Sequence, residues 1–600
     1  MLDVVVAGRV TRVAHGTAVG TLLSEVEDGL PVVAALVDGI AVSLATPLRS
    51  TCAVRPLTPR DWEGQRIQRR SLALLALEAA HLVSGGYTVR VGPSFGFGQR
   101  LIVQRSVGQS SGGQPTSGGV SEVPLVPLVG AELARFAAAL EAAMGQLISA
   151  GLNLRREYWS LEQAQQTFAR QGWTEAADLL GTSRDHIVPV VSYGQTYAID
   201  MGPVVTRSNA LGSFYITGED DLLMLIYGRR SVDHPATHTV PIVALGDVGE
   251  PAPASERPKT RFLVKQVRSS ALDAQGQSFE EQAWLRALGV RSIGSFNRVC
   301  IEGSVPDLIR VAEGFHEKRI SAIADEIASR GDDIDIVSIA GPSSSGKSTF
   351  IQRLCVQLKV NGITPVGLGL DDYYVDRELT PRDESGDYDF EALNALNLEL
   401  LNQHTTALLR GEAVRTPRFD FLKGKAELET GKLVTLGPRD VLLIEGIHGL
   451  NPELLRAVPV SRVFRIMVCP LMQLALDHAT RVHASDVRLI RRIVRDRHGR
   501  GRDAAETIER WPKVRAGERR YIYPNQTFAD AVFDSSLVYE LSVLRVYAER
   551  YLLEVPRNHA SQTTANRLLR FLDRFVGIYP DHVPGTSILR EFIGNSSFVE

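Results

Sequence analysis

Apolar residues recur in three rhythms along the chain. Up to about residue 58 they form short runs, LDVVVAG, PVVAALVDGIAVSL and TCAVRPL, that read as strands. Asp38-Gly39 between two such runs predicts a type I′ hairpin, because both central positions of that turn need positive φ. The segment DWEGQRIQRRSLALLALEAAHLVSGG then switches to helical spacing, so a second module starts near Pro59. That module reads as mixed α/β. Within it, SVGQSSGGQPTSGG (Ser106 to Gly119) is too rich in Gly, Ser and Gln to pack and reads as a mobile loop. Ser160 to Gln163 reads as a capping box opening SLEQAQQTFARQG. The stretch GDVGEPAPASERPKT from Gly246 breaks the pattern and reads as a linker, and SVPDLIRVAEGFHEKRISAIADEIASRG beyond it reads as helix. From about residue 333, strand candidates DIVSIAG, TPVGLGLDDYY, RDVLLIEGIHG and SRVFRIMV alternate with helices. Such alternation predicts a parallel sheet covered by helices on both faces.

Length and composition narrow this picture. A chain of 600 residues is long enough for roughly three to five domains. Its 66 basic and 69 acidic side chains nearly cancel, so no global field calls for nucleic acid or anionic lipid. Cys52, Cys300, Cys355 and Cys469 are widely spaced with no C-x-x-C, which fits neither a disulfide framework nor a zinc knuckle. No apolar stretch approaches about 18 residues, and MLDVVVAGRV has no basic start to a long apolar run. A soluble, cytoplasmic protein without membrane partners is the expectation.

The strongest chemical signal lies in IVSIAGPSSSGKSTFIQRLCVQL, Ile336 to Leu358. Gly341 to Ser348 fits G-x-x-x-x-G-K-[ST] without substitution, after a strand and before Phe350, Ile351, Leu354, Cys355 and Leu358 at helical spacing. Glycines let such a loop turn its N–H groups around a polyphosphate, at the positive end of the following helix. The loop residues Gly341, Pro342, Ser343, Ser344, Ser345, Gly346, Lys347, Ser348 and Thr349 are the expected seat of ATP. Lys347 reaches the β- and γ-phosphates, and the Ser348 hydroxyl binds Mg²⁺.

Other candidates cluster after strand ends. Asp371 and Asp372 follow VGLGL, where an open α/β sheet places its ligand crevice. A carboxylate there can accept the proton of an attacking hydroxyl, and an Asp pair serves equally well as a turn former. Glu445 ends VLLIEG and suits Mg²⁺, directly or through water. In RLIRRIVRDRHGRGR, Arg488, Arg491, Arg492 and Arg495 share a helix face and can neutralise phosphates. A solvated, salt-bridged helix and a nucleic-acid patch are the competing readings of that run. His478 and His483 lack partners at metal-ligand spacing, and His448 reads as a turn histidine before a catalytic one.

GPSSSGKST, LDDYYVDRELTPRDESGDYDFEAL, IEGIHGLNPEL and VRLIRRIVRDRHGRGRDAAETIERWPKVRAGE together resemble the uridine kinase and phosphoribulokinase family. They are most similar to its bacterial branch of long nucleoside kinases. The resemblance spans about 300 to 600 and includes FADAVFDSSLVYEL and the tail SILREFIG. It makes Asp371 the general base for a substrate 5′-hydroxyl and sets Tyr374 and Asp389 against the nucleoside, Asp389 at the ribose hydroxyls. It assigns Glu445 to Mg²⁺ and the arginine helix to a lid. In that lid Arg491 and Arg495 act with Lys347 on the phosphoryl group in transit, Arg492 on ATP and Arg488 on the substrate. Two positions depart from the family pattern: in FDFLKG, Phe419 and Gly424 stand where a Tyr and a His contact the pyrimidine. Phe419 retains an aromatic face for the substrate.

The front also resembles that branch. Residues 1–58 are similar to a TGS domain, a β-grasp fold, and 59–245 to the second additional domain of threonyl-tRNA synthetases. That synthetase domain carries H-x-x-x-H, and here Leu77 precedes His81. The resemblance therefore implies a scaffold or binding module without zinc or editing chemistry. The expected organisation is a TGS-like domain (1–58), a synthetase-like α+β module (59–245), a linker and helical connection (246–330), an α/β P-loop kinase domain (331–555) and a helical tail (556–600). The expected activity is an ATP- and Mg²⁺-dependent nucleoside 5′-kinase. A kinase of another sugar alcohol and an RNA-associated regulatory ATPase remain alternatives. RNA contact by the front modules and homo-oligomer formation stay open.

Overall fold

The computed structural model describes residues 1–600 apart from 84–85, 95–97, 107–124, 220, 228, 231–242, 245–283, 286, 384–385, 421–422, 472–473 and 599–600. All but the first residue of the Gly/Ser-rich loop and most of the linker from Gly246 lie outside the described residues.

Five strands near the start of the chain, Leu2–Val6, Arg9–Val13, Ala34–Val37, Ile40–Val42 and Cys52–Leu57, form one mixed sheet in which the first and last of them run parallel. Asp38 and Gly39 have φ of 48° and 79°, both positive as the type I′ turn demands, and Val37 pairs with Ile40 across it. The helical rhythm that follows becomes a 22-residue helix, Trp62–Val83. It packs with helix Gly130–Ser149 against an antiparallel sheet that includes Tyr87–Ser94, Gly98–Ser106, Phe214–Glu219 and Leu222–Tyr227. Ser160 caps helix Leu161–Arg170 by accepting the Gln163 N–H at 3.1 Å.

The second half is built on a five-stranded sheet whose strands all run parallel. Its order in space is Thr364–Gly369, Asp440–Glu445, Ile336–Ala340, Val463–Cys469 and Ala531–Asp534. Four of these are the runs the sequence pattern predicts. The fifth, only four residues, is too short for periodicity to single out. Alternation sorts each strand between two cores. Ile336, Leu368, Leu442 and Ile444 face Leu401 and Leu408 of helix Leu398–Leu409. Val337, Ile339, Leu443, Phe464 and Ile466 face Leu354 and Leu358 of helix Lys347–Val360 and Ile320 and Ile327 of helix Val305–Ser329. This second core continues without a break from Ala164 and Phe168 in the front half to Phe592 and Ile593 in the tail.

Most of the arginine run lies on helix Ala484–Gly499, and its inner face is not solvated: Arg488 and Arg491 are 1% and 0% exposed, while Arg497 and Arg500 towards the run's end are open to solvent. Its first turn is tied to the front half. Asp486 pairs with Arg66 at 2.6 Å and with Arg567 at 2.9 Å, and Arg567 also pairs with Glu63 at 2.9 Å. Burial alone would raise the Asp486 carboxyl, but Arg567 and Arg66 outweigh it and hold it well below the usual carboxylate range. A depressed carboxyl contributes stability that is full above about pH 4 and is lost as acid protonates it. Asp486→Ala leaves Arg66 without its paired anion in a poorly hydrated interface and Arg567 with Glu63 alone. We expect it to cost about 3–5 kcal/mol in urea unfolding. An unchanged unfolding midpoint would show that the interface holds without this network.

Candidate active site

Because the strands are parallel, their C-terminal ends lie on one side of the sheet, and register sets three of them level. Ile339 and Gly369 both pair with Glu445, so the loop after Ala340, the turn after Gly369 and Glu445 itself are neighbours. That turn, Leu370–Tyr373, carries Asp371 and Asp372.

The phosphate loop needs its glycines for measurable reasons. A Cβ on Gly341 would sit 2.0 Å from the Val468 carbonyl oxygen, and Gly346 has φ of 86° at the N-terminal boundary of helix Lys347–Val360. Ser348 is exposed in the first turn of that helix, and Thr349 is buried beside it. Lys347 donates to the Gly341 and Pro342 carbonyls at 2.9 and 3.4 Å, so its ammonium curls over the loop. Desolvation lowers it, while Glu445 and then Glu591 oppose that shift.

The two aspartates separate by environment. Asp371 opens to solvent in the crevice, yet the surrounding walls strip enough water to raise its carboxyl; Lys347 opposes the rise and Asp372 adds to it. Asp372 is also raised by desolvation, but it answers to Arg418 and accepts the Phe419 N–H. Asp371 thus belongs electrostatically to the phosphate loop and Asp372 to the neighbouring strand Arg418–Asp420. Glu445 is raised by desolvation too, with Lys347 opposing and Asp371 and Glu591 adding.

The arginines act on the loop from behind. Arg488 donates to the Ser343 carbonyl at 2.9 Å and pairs with Glu518. Arg491 donates to the Ser345 carbonyl at 3.3 Å and pairs with Glu540 at 2.6 Å. Arg492 donates to Ser343 Oγ at 2.9 Å, and Arg495 to Ser344 Oγ at 3.1 Å. Arg488 and Arg491 therefore hold the loop backbone, whereas Arg492 and Arg495 reach its mouth. The expected lid is, in this arrangement, a packed wall.

The expected acceptor residues also meet. Tyr374 lies 5.5 Å from the Phe419 ring and 6.3 Å from Phe390, edge-on to the latter, and Asp389 accepts from the Tyr521 hydroxyl at 2.5 Å. Gly424, with φ of 68°, holds a backbone conformation that disfavours the histidine of the family pattern. A Cβ there would stand 2.6 Å from Nε of Arg377, whose guanidinium fills that space. His448 is buried with its ring edge-on to Tyr521, and desolvation lowers it to about 4, so it is neutral near pH 7. His478 is a packing group stacked at 3.9 Å on Trp173.

Three carboxylates escaped the sequence reading: Glu391, Glu518 and Glu591. Each reaches the site from a segment whose position only the fold supplies. SILREFIG was the one available signal for Glu591. Glu391 is pushed up to about 7, first by burial, then by Glu518 and Asp389. A raised carboxyl binds its proton more tightly in the native state, so stability falls as pH rises from about 4.5 to about 7. Glu391→Gln should flatten the melting temperature across that window. A slope equal to wild type would assign the pH dependence to other groups.

A model of the phosphoribulokinase/uridine kinase family matches residues 336–542. A uridine kinase of Halalkalibacterium halodurans is 30% identical over 198 residues, which cover 33% of this chain and 84% of that one. The chain belongs to the phosphoribulokinase/uridine kinase family. Uridine kinases of Aeromonas hydrophila and Vibrio cholerae show the same 30% identity over 200 residues, 85% of each. Membership makes the second half a kinase domain, and the matched region contains the phosphate loop, both aspartates, Glu445 and the arginine helix. The front modules lie outside the match. Among the described residues, no helix is long and apolar enough to cross a membrane.

Proposed function

We propose that the protein transfers the γ-phosphoryl group of ATP to the 5′-hydroxyl of a nucleoside. The observation that carries this reading is Asp371, a solvent-open carboxylate facing the charge of Lys347 beside an intact phosphate loop. Asp371 takes the proton of the acceptor hydroxyl as the oxygen attacks the γ-phosphorus. Loop N–H groups and Lys347 hold the phosphates, and Arg495 and Arg492 add positive charge at the loop mouth. Tyr374, Phe390 and Phe419 offer aromatic faces to a base, and Asp389 with Tyr521 suits the ribose hydroxyls. The Ser348 hydroxyl and Glu445 are hard oxygen donors, the type that binds Mg²⁺ alongside phosphate and water. Bound there, Mg²⁺ would offset phosphate charge.

The missing tyrosine hydroxyl at Phe419 and the missing side chain at Gly424 remove two polar base contacts. Base selectivity is therefore weaker than hydrogen-bonded readout provides. A screen of ATP with nucleosides and sugars, read by product mass, tests the whole assignment. A product from a phosphorylated sugar alone, or hydrolysis stimulated by RNA with no phosphorylated product, would replace it. For the front half we propose a TGS-like domain at 1–58, on the parallel pairing of its outermost-in-sequence strands, followed by a synthetase-like module to 245. Neither is assigned chemistry. The connection (246–330), kinase domain (331–555) and tail (556–600) complete the proposed division.

A further inference from the structure

The phosphate loop already holds carboxylates of its own chain. Glu591 sits on the segment Ser587–Gly594, and its Oε2 accepts the Thr349 N–H and hydroxyl at 3.4 and 3.3 Å. Its Oε1 pairs with Arg495 at 3.2 Å, and its side chain is 7% exposed. On the far rim, the Ser343 N–H donates to Glu518 at 3.2 Å. The Thr349 N–H belongs to the first turn of helix Lys347–Val360, whose leading N–H groups have no partner within the helix. Such groups are the donors an anion takes at a helix N-terminus. The segment is seated as well as charged. Ile588 packs where a Gly346 Cβ would stand, 2.5 Å from its Cγ2, and Phe592 lies 5.1 and 5.9 Å beneath the guanidinium groups of Arg491 and Arg495.

We propose that Glu591 is a built-in competitor for the phosphate site: the segment Ser587–Gly594 closes the nucleotide-free loop, and ATP binds by expelling it. This inference rests on reading the loop as a triphosphate site. A phosphate oxygen and the Glu591 carboxylate would claim the same N–H, the same hydroxyl and the same arginine, in a place with little water to screen two anions. Displacement frees Arg495 for the incoming phosphate and lifts Ile588 and Phe592 from the loop. Nucleotide affinity is then reduced by the fraction of molecules in which the tail is seated.

Hydrogen exchange of the full chain, with and without the β,γ-methylene analogue of ATP and Mg²⁺, tests this. Amides of 587–594 should exchange faster with the analogue bound. Glu591→Gln should bind the analogue about ten-fold more tightly, because the seated state loses its charge pairing. Added protection of 587–594 by the analogue, or weaker binding by Glu591→Gln, would overturn the proposal and make Glu591 a residue that positions Arg495 for the nucleotide. If neither protein binds the analogue or inorganic tripolyphosphate, the phosphate-loop reading itself falls, and this inference with it.

Discussion

Lys347→Ala is expected to reduce phosphoryl transfer by 10² or more while the protein still unfolds at its usual denaturant concentration. The two halves of that expectation have separate causes. Lys347 is half-buried and its ammonium donates to carbonyl oxygens of its own loop, so truncation removes a polar contact and no apolar packing group. In transfer, by contrast, it is the one cation on the loop itself, and a fixed charge aimed at a developing anion is worth about 10² to 10³ in rate. Steady-state turnover alongside urea unfolding reads both halves. Retention of more than about a tenth of wild-type turnover would remove Lys347 from the chemistry, since that loss is smaller than one such interaction supplies.

The second large effect separates the adjacent aspartates. Asp371→Asn should keep ATP binding and lose transfer by about 10² to 10⁴, the usual worth of a positioned base. Asp372→Asn should retain most activity, because Asp372 accepts the Phe419 N–H and answers to Arg418 rather than to the phosphate loop. The raised Asp371 carboxyl adds a signature. A base works deprotonated, so the acid limb of kcat/KM should lie above the ordinary aspartate value and vanish in Asp371→Asn. The reverse pattern, a dead Asp372→Asn and an active Asp371→Asn, would transfer the role to the neighbour.

Local signals carried much of this fold. Asp38-Gly39, the Gly341–Ser348 octet and the four longer strands of the parallel sheet each follow from short-range rules about φ, phosphate loops and alternation. The candidate carboxylates Asp371 and Glu445 were legible for the same reason: a strand end followed by an acid is a local pattern with a fixed place in a parallel sheet. What stayed hidden is what depends on distant partners. Seven arginines between Arg488 and Arg502 cannot by themselves announce that Arg491 will be sealed against Glu540 and the backs of two loop serines. Nor does a missing histidine at Gly424 reveal that Arg377 fills the space. Glu591 carries no local signal beyond a family-like tail, because its chemistry exists only when the chain returns to Thr349 after 242 residues.

That separation has a consequence for biosynthesis. A ribosome delivers Gly341–Thr349 long before it delivers Glu591, Ile588 and Phe592, which complete the same core and cover the same loop. Throughout that interval the nascent kinase domain carries a bare anion-binding loop and an unfilled apolar seat, while nucleoside triphosphates drive translation around it and chaperones recognise exposed hydrophobic surface. Whatever first occupies the loop on the ribosome, it is not the segment that covers it in the finished molecule.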